Sequence, residues 1–321
     1  MIRIGIIGYG NLGAGVEQAI TKQTDMEVFG VFTRRETGSV YTQGSKVYHM
    51  KELANLKGQI DVLIHCGSSE FDLRAQTPQL AKDFNIVDSF DMHAIINEHR
   101  SRVDQVAKTN KTTAMVSVGW DPGIFSAHKT VMDAILPFGA TQSFWGYGIS
   151  QGHSNVASKV IGVKMARNYS VPNQDNIEAF KKHEKIDITL NHTKECYVVA
   201  EQGADLEQIR EDILNIEHYF KGSVTKVIFI TEKDMIENHS KWSQGGRVIR
   251  IATTSDGIKH TLDFEIKLDS NPEFTASNLV AYARATYNMH QRGEYGPFTA
   301  LDVRPRDMSS KSYDQLIKEM L

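Results

Sequence analysis

The first twenty residues of this 321-residue chain constrain its fold more than any other stretch. Ile2 to Ile7 is a short run rich in isoleucine. Gly8-Tyr9-Gly10-Asn11-Leu12-Gly13 follows at once, and Leu12, Val16, Ala19 and Ile20 then recur at helical spacing. That order predicts a buried strand, a glycine turn and an amphipathic helix. Glycines at these three offsets permit a tight turn, close approach of backbone to a pyrophosphate, and tight packing of helix on strand. The helix start offers N–H groups and a positive dipole end to phosphates. A lone G-x-G-x-x-G is a weak signal. Its place between strand and helix, with a second strand expected at Met26 to Phe32, makes it a dinucleotide fingerprint.

The end of the second strand selects the dinucleotide, because an acidic residue there would bond the ribose 2′-hydroxyl of NAD and repel a 2′-phosphate. Thr33-Arg34-Arg35 instead offers a hydroxyl and two guanidinium groups, which suit a phosphate monoester. Glu36 follows and works against that discrimination, but NADP is expected over NAD.

Further short β-branched runs lie at Val47-Tyr48, Ile60 to His65, Asn85 to Asp88 and Thr113 to Val118, and helical patterns at Asp72 to Phe84 and Met92 to Lys108 separate the later ones. This alternation predicts an α/β, Rossmann-type, doubly wound parallel sheet over residues 1–120. Ligands of such sheets bind beyond the carboxyl ends of the strands. The expected cofactor residues are therefore Gly8 to Gly13, Thr33 to Arg35, Cys66-Gly67-Ser68-Ser69, Ser89-Phe90-Asp91 and Gly119-Trp120-Asp121-Pro122. Beyond Gly123 strands are expected at Ser143 to Gly146, Glu195 to Ala200, Thr225 to Ile230, Arg247 to Thr253 and His260 to Leu268, with helices at Leu206 to Ile216 and Ser277 to Gln291. The strand at 260–268 alternates Leu262, Phe264, Ile266 and Leu268 against Asp263, Glu265 and Lys267, the pattern of a sheet with one buried face. The second half reads as an α+β domain of mainly antiparallel strands.

Composition narrows the functional classes. The 36 basic and 39 acidic residues give a net charge of -3, so no bulk field favours nucleic acid or an anionic membrane. Cys66 and Cys196 are far apart, and neither has a second Cys at metal-ligand or redox spacing, which argues against a disulfide framework or a structural metal. No stretch reaches the roughly 18 apolar residues of a membrane span, and the N-terminal apolar run is too short for a secretory signal. A reducing, cytoplasmic setting is expected.

Several blocks carry a resemblance. Ile7 to Gly13, Phe32 to Arg35, Val87-Asp88-Ser89-Phe90-Asp91, Ser117-Val118-Gly119-Trp120-Asp121-Pro122-Gly123, Phe144-Trp145-Gly146, Ser150-Gln151-Gly152-His153-Ser154 and Leu268 to Thr275 resemble the meso-diaminopimelate dehydrogenase family, in its order and over nearly the whole chain. The resemblance implies an NADP-dependent homodimer that reversibly deaminates the D-centre of meso-2,6-diaminopimelate, a small diamino dicarboxylic acid, to L-2-amino-6-oxopimelate and ammonia, in lysine and peptidoglycan precursor biosynthesis. The product cyclises to tetrahydrodipicolinate. It also implies a dinucleotide domain at 1–120, a substrate-binding and dimerisation region at 121–272, and a segment at 273–321 folding back on the first.

Such chemistry passes through a cationic iminium, which needs negative charge near the reacting nitrogen and little bulk water. Asp91 and Asp121 lie just past predicted strand ends and meet the first need, and carry-over from the family puts both in the substrate site. A carboxylate or an attached water takes the amine proton; the residues alone leave that choice open. The resemblance further assigns Trp120, Trp145, Gln151, Gly152, Ser170, Lys194, Gln244 and Asn271 to the substrate. His153 reads as a hydrogen-bonded structural histidine, and Cys66 as packing. Four positions depart from the family: Lys194 replaces an Arg and loses its planar fork, Gln244 replaces a His, Ser170 a Thr and Asn155 an Asp. Lys194 and Gln244 fall on the distal pocket. Three alternatives follow: an amine dehydrogenase with an altered amino-acid substrate, a carbonyl reductase of similar build, and a non-catalytic NADP sensor.

Overall fold

The computed structural model describes residues 1–217 and 219–321 and divides into two units, one of Met1–Ala127 with Pro272–Leu321 and one of His128–Asn271. In the first unit β1 (Ile2–Ile7) runs into α1 (Asn11–Ile20), and β2 (Met26–Thr33), β3 (Val47–His49) and β4 (Val62–His65) follow. Next come α2 (Arg74–Leu80), β5 (Ile86–Asp88), α3 (Ile96–Asn110), β6 (Thr113–Met115) and α4 (Ile124–Ile135), whose last eight residues belong to the second unit. The helix expected over 72–84 is shorter and begins with a π-turn at Ser69–Leu73. Ser68 starts that turn by accepting the Phe71 N–H on its hydroxyl, and the Asp72 carboxylate returns to the Ser68 N–H. This side-chain capping brings the turn's start forward of the apolar pattern.

After the end of α4, the second unit continues with β7 (Gly139–Trp145), β8 (Gly148–Ser150), α5 (Gln151–Ala157), β9 (Val163–Pro172) and α6 (Gln174–Lys181). It continues with β10 (His192–Ala200), α7 (Leu206–Leu214), β11 (Thr225–Phe229), α8 (Glu232–Asn238), β12 (Gln244–Ser255) and β13 (Ile258–Leu268). One sheet has the order β11-β10-β9-β8, antiparallel except for β10 with β11, and the other is antiparallel in the order β13-β12-β7. Ala166, Cys196, Val198, Ile209, Ile213 and Val227 form the core of the first sheet and its helices. Phe144, Ile177, Phe180 and Ile249 form a smaller core on the second. On β13 the expected alternation holds, with Leu262, Phe264 and Ile266 half-buried and Asp263, Glu265 and Lys267 exposed.

The chain then completes the first unit with α9 (Asn271–Gln291, Pro272 onward), β14 (Gly296–Phe298) and α10 (Tyr313–Met320). The first sheet is wholly parallel in the order β14-β6-β5-β4-β1-β2-β3, so strand order reverses between β1 and β4. Ile4, Ile6, Val31 and Ile64 pack with α1 and with Leu279, Tyr282 and Ala283 of α9 on one face. Ile7, Phe32, Leu63 and Ile86 meet Val103 and Ala107 of α3 on the other. Burial on both faces explains why β1 and β4 read as continuous apolar runs. Among the described residues, no helix is long and apolar enough to cross a membrane.

Candidate active site

The residues expected to bind the nucleotide lie at the carboxyl ends of the first unit's strands, on both sides of the reversal. Gly8 turns the chain off β1 with a φ of +83°, a left-handed conformation that suits glycine. A Cβ on Gly13 would stand 2.2 Å from the Gly8 carbonyl oxygen, so α1 seats on the turn only without a side chain there. Gly10 caps α1 with no side-chain hydrogen bond, and a Cβ on it would meet nothing within 4 Å. The start of α1 therefore presents N–H groups to open space, with Tyr9, Asn11 and Leu12 around the turn. This fits a pyrophosphate.

At the end of β2, the Thr33 hydroxyl accepts the Arg35 N–H (3.1 Å). Arg35 donates to the Tyr9 carbonyl (2.7 Å), and Arg34 pairs with Asp72 (2.7 Å). The Tyr9 hydroxyl donates to buried Glu17, which also accepts the N–H groups of Gln43 and Ser45 at 3.0 Å. Burial disfavours charge on Glu17, but those hydrogen bonds outweigh it and hold its carboxyl below the usual range. Both arginines thus stand on protein neighbours at the end of β2, and their guanidinium groups fit a phosphate monoester. Asp72, which holds Arg34, carries no sequence signal.

The loop after β4 is set by His65, whose Nδ1 accepts the Gly67 N–H (3.1 Å) and whose Nε2 lies 3.2 Å from Gln76. Burial pushes its pKa down to about 4, so it is neutral. Burial pushes the Cys66 thiol up and leaves it unreactive. Beyond it, Ser69 and Asp91 grip each other: the Ser69 hydroxyl donates to the Asp91 carboxylate (2.6 Å) and accepts the Asp91 N–H (3.1 Å). Ser89, Phe90 and Asp91 form the loop after β5. Gly119 to Pro122 form the loop after the adjacent β6, with a cis peptide between Asp121 and Pro122. Trp120 is buried edge-on against Phe125 at 5.3 Å, and Asp121 is half-buried. The turn, the two arginines and the loops carrying Cys66, Asp91 and Asp121 all belong to one sheet edge.

The residues assigned to the substrate in the second unit form a contiguous group. Gly148, Ser170 and Lys194 are paired across β8, β9 and β10, and a Cβ on Gly148 would lie 2.5 Å from the Gln244 Cα. The Gln244 Oε1 accepts the Asn271 side-chain amide (2.9 Å). Gln151 and Gly152 open α5 immediately after β8. Lys194 donates to the Tyr219 carbonyl (2.5 Å) and the Ser223 hydroxyl (2.7 Å), and burial lowers its pKa. His153 is used on both nitrogens, bonding Ser150 (2.8 Å) and the Tyr219 carbonyl (2.9 Å). Burial, then the Lys194 charge, pushes its pKa down to about 4, so it is a neutral structural group.

Sequence reasoning passed over His192. Its Nε2 accepts the Trp145 N–H (2.7 Å), its ring lies 4.8 Å from the indole, and burial followed by the Lys194 charge brings its pKa to about 4. A neutral imidazole therefore fixes the tryptophan. Its position two residues before Lys194 on one strand face was the available signal. Among the described residues no group of side chains could hold a metal ion.

A family model described as "Diaminopimelic acid dehydrogenase C-terminal domain" matches residues 119–270. The chain is 43% identical over 326 residues to the meso-diaminopimelate D-dehydrogenase of Acetivibrio thermocellus, covering 100% of this chain and 98% of that one. A solved Corynebacterium glutamicum DAP dehydrogenase in complex with DAP aligns with a TM-score of 0.95 at 37% identity, covering 100% of this chain and 99% of the other. An engineered D-amino acid dehydrogenase bound to NADP+ aligns with a TM-score of 0.92, also at 37% identity and with the same coverage.

Proposed function

Because the chain belongs to the diaminopimelate dehydrogenase family, we propose that it catalyses the reversible oxidative deamination of meso-2,6-diaminopimelate at its D-centre, consuming NADP+ and one water, which hydrolyses the iminium, and yielding L-2-amino-6-oxopimelate, ammonia, NADPH and a proton. The observation that carries this reading at the residue level is the pair of carboxylate-bearing loops, with Asp91 and Asp121, that close adjacent strands of the nucleotide sheet.

NADP+, when bound, would supply the acceptor for the hydride that leaves the substrate carbon. The first-unit residues hold it: the N–H groups at the start of α1 take the pyrophosphate, and Arg34, Arg35 and Thr33 take the 2′-phosphate. Asp91 and Asp121 hold the substrate ammonium and stabilise the cationic iminium, in a site where the Trp120 wall limits water. Ser69 keeps the Asp91 carboxylate in one orientation through its two hydrogen bonds. The amine proton leaves to one of the two carboxylates or to water held by them. Lys194, Ser170, Gln244, Asn271, Trp145, Gln151 and Gly152 recognise the distal L-centre, where a carboxylate and an amine must both be read.

We further propose that residues 121–272 combine substrate recognition with homodimer formation and that 273–321 serve the nucleotide domain. Val131, Ile135 and Phe138 support the homodimer: they leave an apolar stripe 57%, 64% and 88% exposed on and just beyond α4. The two unpaired cysteines agree with a reducing, cytoplasmic setting.

Ammonium dependence of NADPH oxidation in the reverse direction tests the reaction type. Oxidation of NADPH by 2-amino-6-oxopimelate only when ammonium is present supports the amine dehydrogenase. Equal oxidation without ammonium makes the protein a carbonyl reductase.

A further inference from the structure

Asp88 ends β5 with its side chain fully buried (0% exposed), below the loops that carry Asp91 and Asp121. One carboxylate oxygen accepts the N–H groups of Phe90 (3.1 Å) and Ser117 (2.9 Å). The other faces His99 Nε2 at 2.8 Å, and the Asp88 carbonyl accepts the Val118 N–H at 3.0 Å. Phe90 immediately precedes Asp91, and Ser117 and Val118 open the segment that runs through Gly119 and Trp120 to Asp121. A single carboxylate is therefore bonded to the start of both loops.

Two details show that this fork sets backbone geometry. Ser117 sits at a φ of +57°, a left-handed conformation that a serine adopts only when its surroundings impose it, and its N–H is the one held by Asp88. His99, itself 1% exposed and carried by α3, stacks on the Phe90 ring at 4.1 Å, so the fork's outer arm also fixes the residue before Asp91. Burial disfavours the Asp88 charge, but the His99 bond, the His99 charge and the two backbone N–H groups prevail and hold its carboxyl below the usual range. A buried carboxylate–imidazole contact is a weak source of stability, because desolvation offsets much of the attraction. Registration of the two loops gives the pair a function that stability alone does not.

We propose that Asp88, backed by His99, is a positioning residue for the reaction: it sets the two acid-bearing loops relative to each other while touching neither substrate nor cofactor. This inference rests on the reading of Asp91 and Asp121 as the groups that hold the reacting amine. The phosphate grips at Gly10, Arg34 and Arg35 lie on other strands and are independent of it. The two loops also carry expected cofactor residues, but with the phosphate grips intact, loss of Asp88 should reduce kcat far more than NADPH affinity.

The test compares Asp88→Asn and Asp88→Ala with Asp91→Ala and Asp121→Ala in the full-length enzyme. The readouts are kcat with meso-diaminopimelate, NADPH dissociation constant by fluorescence titration, and unfolding midpoint. Asn keeps the size and one oxygen for the two N–H groups, but turns an amide toward His99, whose Nδ1 has no partner to share a changed proton. Asp88→Asn is expected to lower kcat about tenfold, the scale of one hydrogen bond. Asp88→Ala is expected to lower it about a hundredfold or more, with NADPH affinity within about threefold for both. The inference is overturned by a folded Asp88→Asn enzyme with native kcat and only a lower midpoint. It is equally overturned by losses confined to NADPH affinity. If Asp88→Ala does not fold, Asp88→Asn decides alone. Native turnover in both Asp91→Ala and Asp121→Ala would instead sink the reading of those carboxylates, a result separable from any Asp88 outcome.

Discussion

Replacing Gly10 and Gly13 with alanine, one at a time, separates the two demands placed on the glycine turn. At Gly13 an added methyl meets the Gly8 carbonyl oxygen at 2.2 Å, and backbone, unlike a side-chain tip, cannot rotate away. Overpacking of this kind costs about 1–3 kcal/mol, and a contact so short belongs at the upper end. Alanine returns about 1 kcal/mol as the better helix former. The net loss is about 2 kcal/mol, which lowers the unfolding midpoint by roughly 4–8 °C in a domain of this size class.

At Gly10 the methyl meets nothing within 4 Å, and φ is -110°, so the only folding cost is that of alanine at a helix cap, about 1 kcal/mol or less. The methyl would, however, occupy the space proposed for the pyrophosphate. Losing one charge-assisted hydrogen bond there costs about 1.5–3 kcal/mol, or roughly 10- to 150-fold in NADPH affinity. Fluorescence titration with NADPH and ligand-free thermal unfolding measure both quantities. Gly10→Ala should bind weakly and melt almost normally, and Gly13→Ala should melt early. Native NADPH affinity in Gly10→Ala would show that the phosphates lie elsewhere.

Other consequences concern the second unit and the buried histidine of the first. Lys194→Ala should raise KM for meso-diaminopimelate by about 10- to 100-fold with kcat little changed, because the lost charge-assisted contact serves binding and not the reacting carbon. An unchanged KM would remove Lys194 from the site. Ile135→Asp and Phe138→Asp should turn a dimer into monomers in sedimentation experiments, whereas persistence of the dimer in both would place its interface on another surface. His65 titrates near 4 when folded and near 6.5 when unfolded, so the unfolded chain binds more protons between these values. Its contribution to stability is complete above pH 6.5 and is lost as pH falls toward 4. Urea midpoints should decline over that window, less so in His65→Asn, and equal slopes would contradict a neutral buried His65.

The parts legible in the sequence were those with short-range causes. The β1–turn–α1 unit shows itself because strand, glycines and apolar helix positions are contiguous. The alternation on β13 is plain because its polar edge faces outward. Strand β9 was missed, since Lys164, Arg167 and Asn168 break its apolar pattern and its pairing partners lie on either side in β8 and β10. Strand β14 is three residues, Gly-Pro-Phe, and is a strand only because β6 lies beside it.

The site divides in the same way. Asp91, Asp121 and the arginines stand at strand ends, where chain position alone is enough to propose them. Asp88 looked like a terminal residue of β5, because its role depends on His99, eleven positions later on α3, and on Ser117 beyond β6. Likewise, Ser69 gains its meaning from Asp91 and His192 from Trp145, and each pair is joined only by the folded chain.

Reduction of NADP+ by separate stereoisomers of diaminopimelate tests the account most directly. The account predicts NADPH formation with the meso isomer, ammonia released in equal amount, and no reaction with the LL isomer, which has no D-centre. NADPH formation from D-lysine but not from meso-diaminopimelate, or equal rates with the LL isomer, would contradict it.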